Sequence, residues 1–99
     1  MKTIVQDLVV YYIGQNSREN DNLFSKMPKT AIWFHLESGP SAHVYAVKPI
    51  PLDKNEIKRG AMLVREHSHG QGKVIYLKKT SLNLIGQGEL ELLRPSKYA

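Results

Sequence analysis

The stretch AIWFHLESGPSAHVYAV, residues 31–47, decides the fold of this 99-residue chain. Two segments within it, residues 32–36 and 42–47, are rich in β-branched and aromatic side chains, which favour strands. A Gly-Pro dipeptide between them is a strong turn signal. The pattern therefore predicts a β-hairpin with residues 37–41 as its loop.

The register of this hairpin decides which side chains share a face of the sheet, because side chains alternate along a strand. If Phe34 lies opposite Val44, one face is apolar throughout and is predicted to be core. This face carries Ile32, Phe34, Leu36, Val44 and Ala46. The other face is aromatic and polar, with two imidazoles side by side across the strands. This second face carries Trp33, His35, His43 and Tyr45.

Four hypotheses fit the aromatic and polar face. In the structural one, Trp33 packs under a helix and the histidines form local hydrogen bonds. In the nucleic-acid one, Trp33 and Tyr45 stack on bases while the histidines contact phosphates or hydroxyl groups. His35 and His43 are also two candidate metal ligands, although a site requires a third. In the catalytic one, these histidines act as general acid and base on a phosphodiester, or Ser41 is a nucleophile. The residue pattern leaves all four open.

The rest of the chain predicts an α+β fold, a mostly antiparallel sheet of about five strands with two packed helices. Residues 1–93 form the single predicted domain, and residues 94–99 a flexible C-terminal tail. Gly60 is expected to let its helix approach a neighbour closely. The predicted elements outside the hairpin are strands 3–6 and 9–13, helices 16–27 and 53–67, and strands 73–78, 81–85 and 89–93.

Positive charge is concentrated in one part of the chain. The net charge is +5, and residues 57–88 contain six basic residues and one acidic residue, so this stretch accounts for the whole excess. The six basic residues are Lys58, Arg59, Arg65, Lys73, Lys78 and Lys79. A local positive field of this kind favours phosphate backbones or acidic protein surfaces.

The composition excludes several classes of site. The chain has no cysteine, so disulfides, thiolate metal sites and cysteine nucleophiles are absent. It has no apolar run long enough to span a bilayer, and its first residues do not read as a signal peptide. We therefore expect an intracellular, cytoplasmic protein with no membrane partner. No cofactor and no metal site are predicted.

A series of short motifs in this order resembles the NFACT-R domain, a module of the NFACT proteins of ribosome-associated quality control. The resemblance covers about residues 12–91, and its most specific part is Trp-Phe-His followed by Ser-Ala-His. Carried over onto this chain, the family pattern marks Gly14, Asn16, Asn20, Asp21, Trp33, His35, Ser41 and His43. The resemblance implies tRNA, ribosomal RNA and the ribosome as partners, with DNA for some relatives, and no firmly attached enzymatic activity.

The sequence thus predicts a nucleic-acid-binding domain whose target is structured RNA, tRNA or ribosomal RNA, in translation or ribosome quality control. The predicted contact residues are Trp33, His35, Ser41, His43, Arg65, Lys73, Lys78 and Lys79. One alternative is an RNA-processing or RNA-modifying enzyme that uses His35 and His43. Another is a protein-interaction module that docks on ribosomal or other acidic proteins. The oligomeric state is not predicted.

Overall fold

The predicted hairpin forms the centre of a six-stranded antiparallel sheet in the computed structural model, which describes residues 1–99. Phe34 lies opposite Val44, the register on which the assignment of faces depended. The prediction of an apolar core face is confirmed, because Phe34, Leu36, Val44 and Ala46 are buried together and Ile32 packs against them.

Two helices and eight strands make up the fold, which confirms the predicted α+β class. The strand order in the large sheet is β1-β2-β4-β3-β5-β8, and β6 and β7 pair separately. The elements are β1 Lys2–Gln6, β2 Val9–Gly14, α1 Ser17–Lys26, β3 Ile32–Leu36, β4 His43–Val47, α2 Lys54–His67, β5 Val74–Lys78, β6 Leu82–Gly86, β7 Glu89–Leu92 and β8 Lys97–Tyr98.

Both helices begin at the residues that the capping signals indicate. The Asn16 side chain accepts the N–H of Glu19 at the start of α1. At the start of α2, Asp53 and Glu56 form a reciprocal capping box. Two backbone donors are satisfied there that would otherwise lack partners.

The large sheet is covered on both faces. Helix α2 packs on the face that carries Phe34, and Gly60 allows the close approach: a Cβ there would lie 2.5 Å from the Phe34 ring. Helix α1 and the β6–β7 hairpin cover the other face, where Leu23, Leu82 and Trp33 share a second core. Neither helix is both long enough and apolar enough to cross a lipid bilayer.

The C-terminal segment differs from the flexible tail predicted for residues 94–99. Its β8 strand pairs with β5, and the Ala99 N–H donates to the Val74 carbonyl at 2.9 Å. Strand β5 would otherwise be an edge with a row of unpaired backbone groups, which the tail satisfies. Residues 81–85, predicted as one strand of the single sheet, supply most of β6, which pairs with β7 in a separate small sheet.

Candidate nucleic-acid interface

Trp33, His35 and His43 form one contact group, which we call the histidine–tryptophan cluster. The Trp33 Nε1–H donates to His43 Nδ1 at 3.2 Å. The two imidazole centroids lie 4.7 Å apart in an edge-on arrangement, and the His35 ring stacks on the indole at 5.2 Å. The prediction that these side chains share one face is confirmed.

This cluster lies largely inside the protein rather than on an open surface. The Trp33 side chain is only 3% exposed and His43 only 4%, and Tyr45 is fully buried beside them. Stacking a base on Trp33 requires an open ring face, which α1 and the β6–β7 hairpin remove. Trp33 and His43 are therefore too buried to contact a nucleic acid directly, contrary to the prediction. Within the cluster only His35 is partly exposed.

Burial also sets the protonation of the two histidines. It lowers the pKa of His43 to about 3, and the neighbouring His35 adds to the shift. Burial lowers the pKa of His35 as well, against an opposing contact with the Leu36 carbonyl. Both rings are therefore neutral at pH 7, and His43 lacks the pKa near 7 that suits a general base. No third histidine or carboxylate joins them in a group that could hold a metal ion.

The other residues marked by the family pattern position α1 against the sheet. Asn16 caps the helix, and Asp21 accepts the Gly88 N–H at 2.9 Å, which ties the β6–β7 turn to α1. Gly14 faces Asn20 so closely that a Cβ would collide with the Asn20 amide oxygen. Asn16, Asp21 and Gly14 therefore have structural contacts that explain their identities without a ligand, whereas the buried Asn20 amide oxygen has no hydrogen-bond partner in the protein.

Ser41 belongs to the hairpin loop and is half-buried. Its Oγ accepts the Leu36 N–H at 3.0 Å and donates to the Ala42 carbonyl at 2.7 Å. A hydroxyl engaged in this way closes the loop, and no histidine hydrogen-bonds to it as the base of a nucleophile would.

The four predicted cations do not lie on one surface. Lys78 lies opposite Ile32, so it shares the α2 side of the sheet. Lys79 lies on the α1 side, where its Nζ donates to the Met27 carbonyl at 2.6 Å. This carbonyl is at the C-terminal end of α1, where a cation is favoured, so Lys79 has a structural role.

The remaining two cations separate in the same way. The Lys73 Nζ lies 5.2 Å from the Tyr98 ring centroid, and Tyr98 is opposite Ile75 on the α1 side. The Arg65 Nε–H donates to the Gly72 carbonyl at 3.3 Å, immediately before β5, on the α2 side. Arg65 and Lys78 are therefore the two predicted cations that share a surface.

Further basic residues complete this surface, which we call the basic face. Its members are Lys54, Lys58, Arg65, Lys78 and Lys97, around the partly exposed ring of Tyr76. The three from α2 fall within about 40° of one another around the helix axis. Lys97 lies opposite Tyr76 in the β5–β8 pair, which puts it on the same side.

None of the five cations of the basic face forms a salt bridge. The acidic residues of α2 are paired on the opposite flank, Glu56 with Lys48 at 2.7 Å and Glu66 with Arg59 at 3.6 Å. The Asp53 carboxylate is occupied in capping α2. The basic face thus keeps its full charge available for a ligand.

Sequence reasoning did not predict Lys54, Lys58, Tyr76 or Lys97 as members of this surface, although it counted Lys58 in the basic stretch. The helical spacing of positions 54, 58 and 65 predicts that Lys54 shares a helix face with Arg65. The alternation of side chains along a strand predicts that Tyr76 shares a sheet face with Lys78. Lys97 has no local signal, because its place depends on pairing between the C-terminal segment and β5.

Comparisons with known proteins identify the fold. No model of a known protein family matches the chain, and no curated protein sequence matches it significantly. Among solved structures, the C-terminal part of the fibronectin/fibrinogen-binding protein from Streptococcus suis is similar, with a TM-score of 0.81 and 23% sequence identity. The match covers 92% of this chain and 40% of that one. This similarity at low identity shows that the two chains share a fold.

Proposed function

We propose that this chain is an RNA-binding domain of the NFACT-R type, which recognises tRNA or ribosomal RNA in the cytoplasm during translation or ribosome quality control. The observation that carries the proposal is the basic face, five exposed cations without salt bridges on one side of the molecule. Lysine and arginine in such an arrangement neutralise phosphates and release condensed counterions.

The dimensions of the basic face suit a nucleic-acid backbone. Lys54 and Arg65 are eleven positions apart on α2, which is about 16 Å along the helix axis. Lys78 and Lys97 extend the charge from the helix onto the sheet, next to the partly exposed Tyr76 ring, which stacks on Phe34. Cations around an aromatic ring are typical of surfaces that contact both phosphates and bases.

The salt dependence of tRNA binding tests this proposal. With up to five phosphate contacts, the slope of log K against log salt should approach about −4, so a rise from 50 to 200 mM salt should weaken binding by roughly 10²-fold. Replacing Lys58 and Lys78 with Ala should weaken binding and flatten the slope by about 1.5.

A matched variant controls for the loss of charge. Lys26 and Lys29 are exposed residues at the end of α1 and in the loop after it, outside the basic face. Their replacement with Ala removes the same charge and should leave the slope nearly unchanged. Undetectable binding, salt-independent binding, or an equal effect of the two double variants would contradict the proposal.

Docking on an acidic protein is the second candidate function. The structurally similar domain comes from a protein named for binding fibronectin and fibrinogen. The same cations that suit phosphates also complement carboxylates on a protein surface. Pull-downs with the purified domain distinguish the two, because partners held through RNA are lost after nuclease treatment and directly bound proteins are retained.

A further inference from the structure

One border of the six-stranded sheet is an unprotected edge strand. Strand β1 is hydrogen-bonded only to β2, and four of its five residues are exposed, including Val5 at 68%. The strand contains no proline, and its pairing with β2 has no bulge. Its central residues Thr3, Ile4 and Val5 are all β-branched, which favours an extended strand. Soluble proteins normally protect an edge of this kind against pairing with another chain.

The backbone groups that β1 leaves unpaired belong to Thr3 and Val5. In an antiparallel sheet the N–H and C=O groups of successive residues point to opposite sides of their strand. The Glu37 N–H donates to the Lys73 carbonyl at 2.8 Å, so the odd-numbered residues of β3 bond to β5. The registers through β4 and β2 then require that the even-numbered residues of β1 bond to β2. Two N–H and two C=O groups of β1 therefore point outward, free for a further strand.

The side chains that lie beside these free groups are apolar. On the α1 side of the sheet, Val5 lies opposite Val10, which lies opposite Val47. Val10 and Val47 are only partly buried, so the three valines form a row that ends at the exposed Val5. Ile4 is half-buried on the other side, next to the core under α2. Another strand on this edge would remove apolar surface from water as well as satisfy the backbone.

The opposite border of the sheet is protected. Strand β8 has only two residues, one of them Lys97, and Pro95 precedes it. Short length, lysine and proline are features that discourage pairing at an edge. A head-to-tail filament, in which β1 of one copy pairs with β8 of the next, is therefore disfavoured. A closed pair of two β1 strands leaves no such open end.

The sequence of β1 is complementary to itself in the antiparallel direction. In a pair centred on Ile4, Thr3 of one copy lies opposite Val5 of the other, and each such pair exchanges two hydrogen bonds. All four free backbone groups of each copy are then satisfied. Lys2 lies opposite Gln6 of the second copy, so no like charges face each other across the strands.

The charges at the two ends of this pair also match. Residues 2–14, which form the β1–β2 hairpin, carry one cation, Lys2, and one anion, Asp7. Neither forms a salt bridge within the chain. In the antiparallel pair, Lys2 of one copy comes next to the turn that carries Asp7 of the other. Two hairpins therefore meet without net repulsion.

We propose that two copies of this chain form a dimer by antiparallel pairing of their β1 strands, centred on Ile4. The twofold axis of such a pair is perpendicular to the sheet, so the two sheets join into one and both α2 helices lie on the same side. The dimer then presents two basic faces in one direction. Its formation does not depend on RNA, because only the β1 edges take part.

Sedimentation equilibrium of the purified protein at increasing concentration tests this proposal. The mass should rise from 11.2 kDa towards twice that value, with a dissociation constant below about 1 mM. Val5→Lys should weaken the dimer about ten-fold, because both copies lose an apolar contact and gain a cation at the edge. Leu8→Lys is the matched control: Leu8 is 70% exposed in the turn outside the strand, and its replacement should leave the constant unchanged.

Hydrogen exchange and a cysteine variant locate the interface. Dimer formation should slow exchange of the Thr3 and Val5 amides, whereas the Ile4 and Gln6 amides, bonded to β2, are protected at every concentration. Because the chain has no cysteine, Ile4→Cys places a single thiol at the twofold axis, where the two Cα atoms would lie about 4.5 Å apart. This spacing permits a disulfide, so oxidation should yield a covalent dimer, and Leu8→Cys should yield none.

Three results would overturn the proposal. The first is a mass that stays at 11.2 kDa up to about 1 mM protein. The second is equal dimer formation by Val5→Lys and the natural protein. The third is a dimer in which the Thr3 and Val5 amides still exchange rapidly, because such a dimer would form through another surface.

Discussion

Replacing His43 with Gln should flatten the pH dependence of folding stability between pH 7 and pH 5. In the native state the His43 ring is 4% exposed and accepts the Trp33 Nε1–H, and burial holds its pKa at about 3. In the unfolded chain the pKa returns to about 6.5. Glutamine keeps an acceptor oxygen for the indole but has no proton to gain.

The sign follows from where the proton binds. Below about pH 6.5 the unfolded chain takes up a proton at His43 while the native chain does not, so acid favours unfolding. The free energy of unfolding therefore decreases progressively as the pH falls from about 6.5 toward 3, because only the unfolded chain gains a proton at His43 in this range. At pH 5 the loss is about 2 kcal/mol.

Urea unfolding at pH 7, 6 and 5 provides the assay. The natural protein should lose about 2 kcal/mol more of its free energy of unfolding between pH 7 and 5 than His43→Gln. His35, whose pKa is also lowered by burial, titrates in both proteins and cancels in the comparison. Equal losses in the two proteins would refute the reasoning, because they would mean that His43 takes up its proton in the folded state.

Two further substitutions test the packing. Gly60→Ala should destabilise the protein by about 2 kcal/mol, because the new Cβ would lie 2.5 Å from the buried Phe34 ring, and Phe34→Leu in that background should recover part of the loss in thermal unfolding. A gain of about 1 kcal/mol, as helix propensity alone predicts, would contradict the close packing. Lys79→Met should lower the melting temperature, because the 2.6 Å hydrogen bond to the Met27 carbonyl is lost, yet leave the salt slope of RNA binding unchanged. A flattened slope would place Lys79 in the interface.

The elements that sequence reasoning found are those that local chemistry determines. The alternation around Phe34 and Val44 predicted the hairpin register and its core face, because a shift of one residue would expose every apolar side chain. Asn16 and the pair Asp53 and Glu56 indicated the starts of both helices, because capping is decided within one turn.

The features that sequence reasoning missed depend on contacts between distant segments. The burial of Trp33 requires the β6–β7 hairpin to fold back over the sheet, and nothing within residues 31–47 specifies that cover. The same holds for Lys97, which reaches the basic face only because β8 pairs with β5. Lys79 follows Lys78 directly, but the chain turns there, so the two point to opposite sides of the sheet.

The two faces of the sheet therefore differ in their roles: one is a closed structural layer, and the other carries the proposed binding surface. The side that carries the histidine–tryptophan cluster is closed by α1 and the small sheet, which the hydrogen bond between Asp21 and the Gly88 N–H ties to each other. On the side covered by α2, the five cations of the basic face are exposed and form no salt bridge. We therefore assign the proposed binding surface to the basic face rather than to the histidine–tryptophan cluster.

Ultraviolet crosslinking of the purified protein to tRNA, followed by mapping of the crosslinked peptides, tests the central claim most directly. The account predicts crosslinks in the peptides that contain Tyr76 and the α2 residues Lys54–His67, and their loss in the Lys58→Ala, Lys78→Ala variant. Crosslinks confined to α1 or the β6–β7 hairpin, or none at all under low salt, would contradict it.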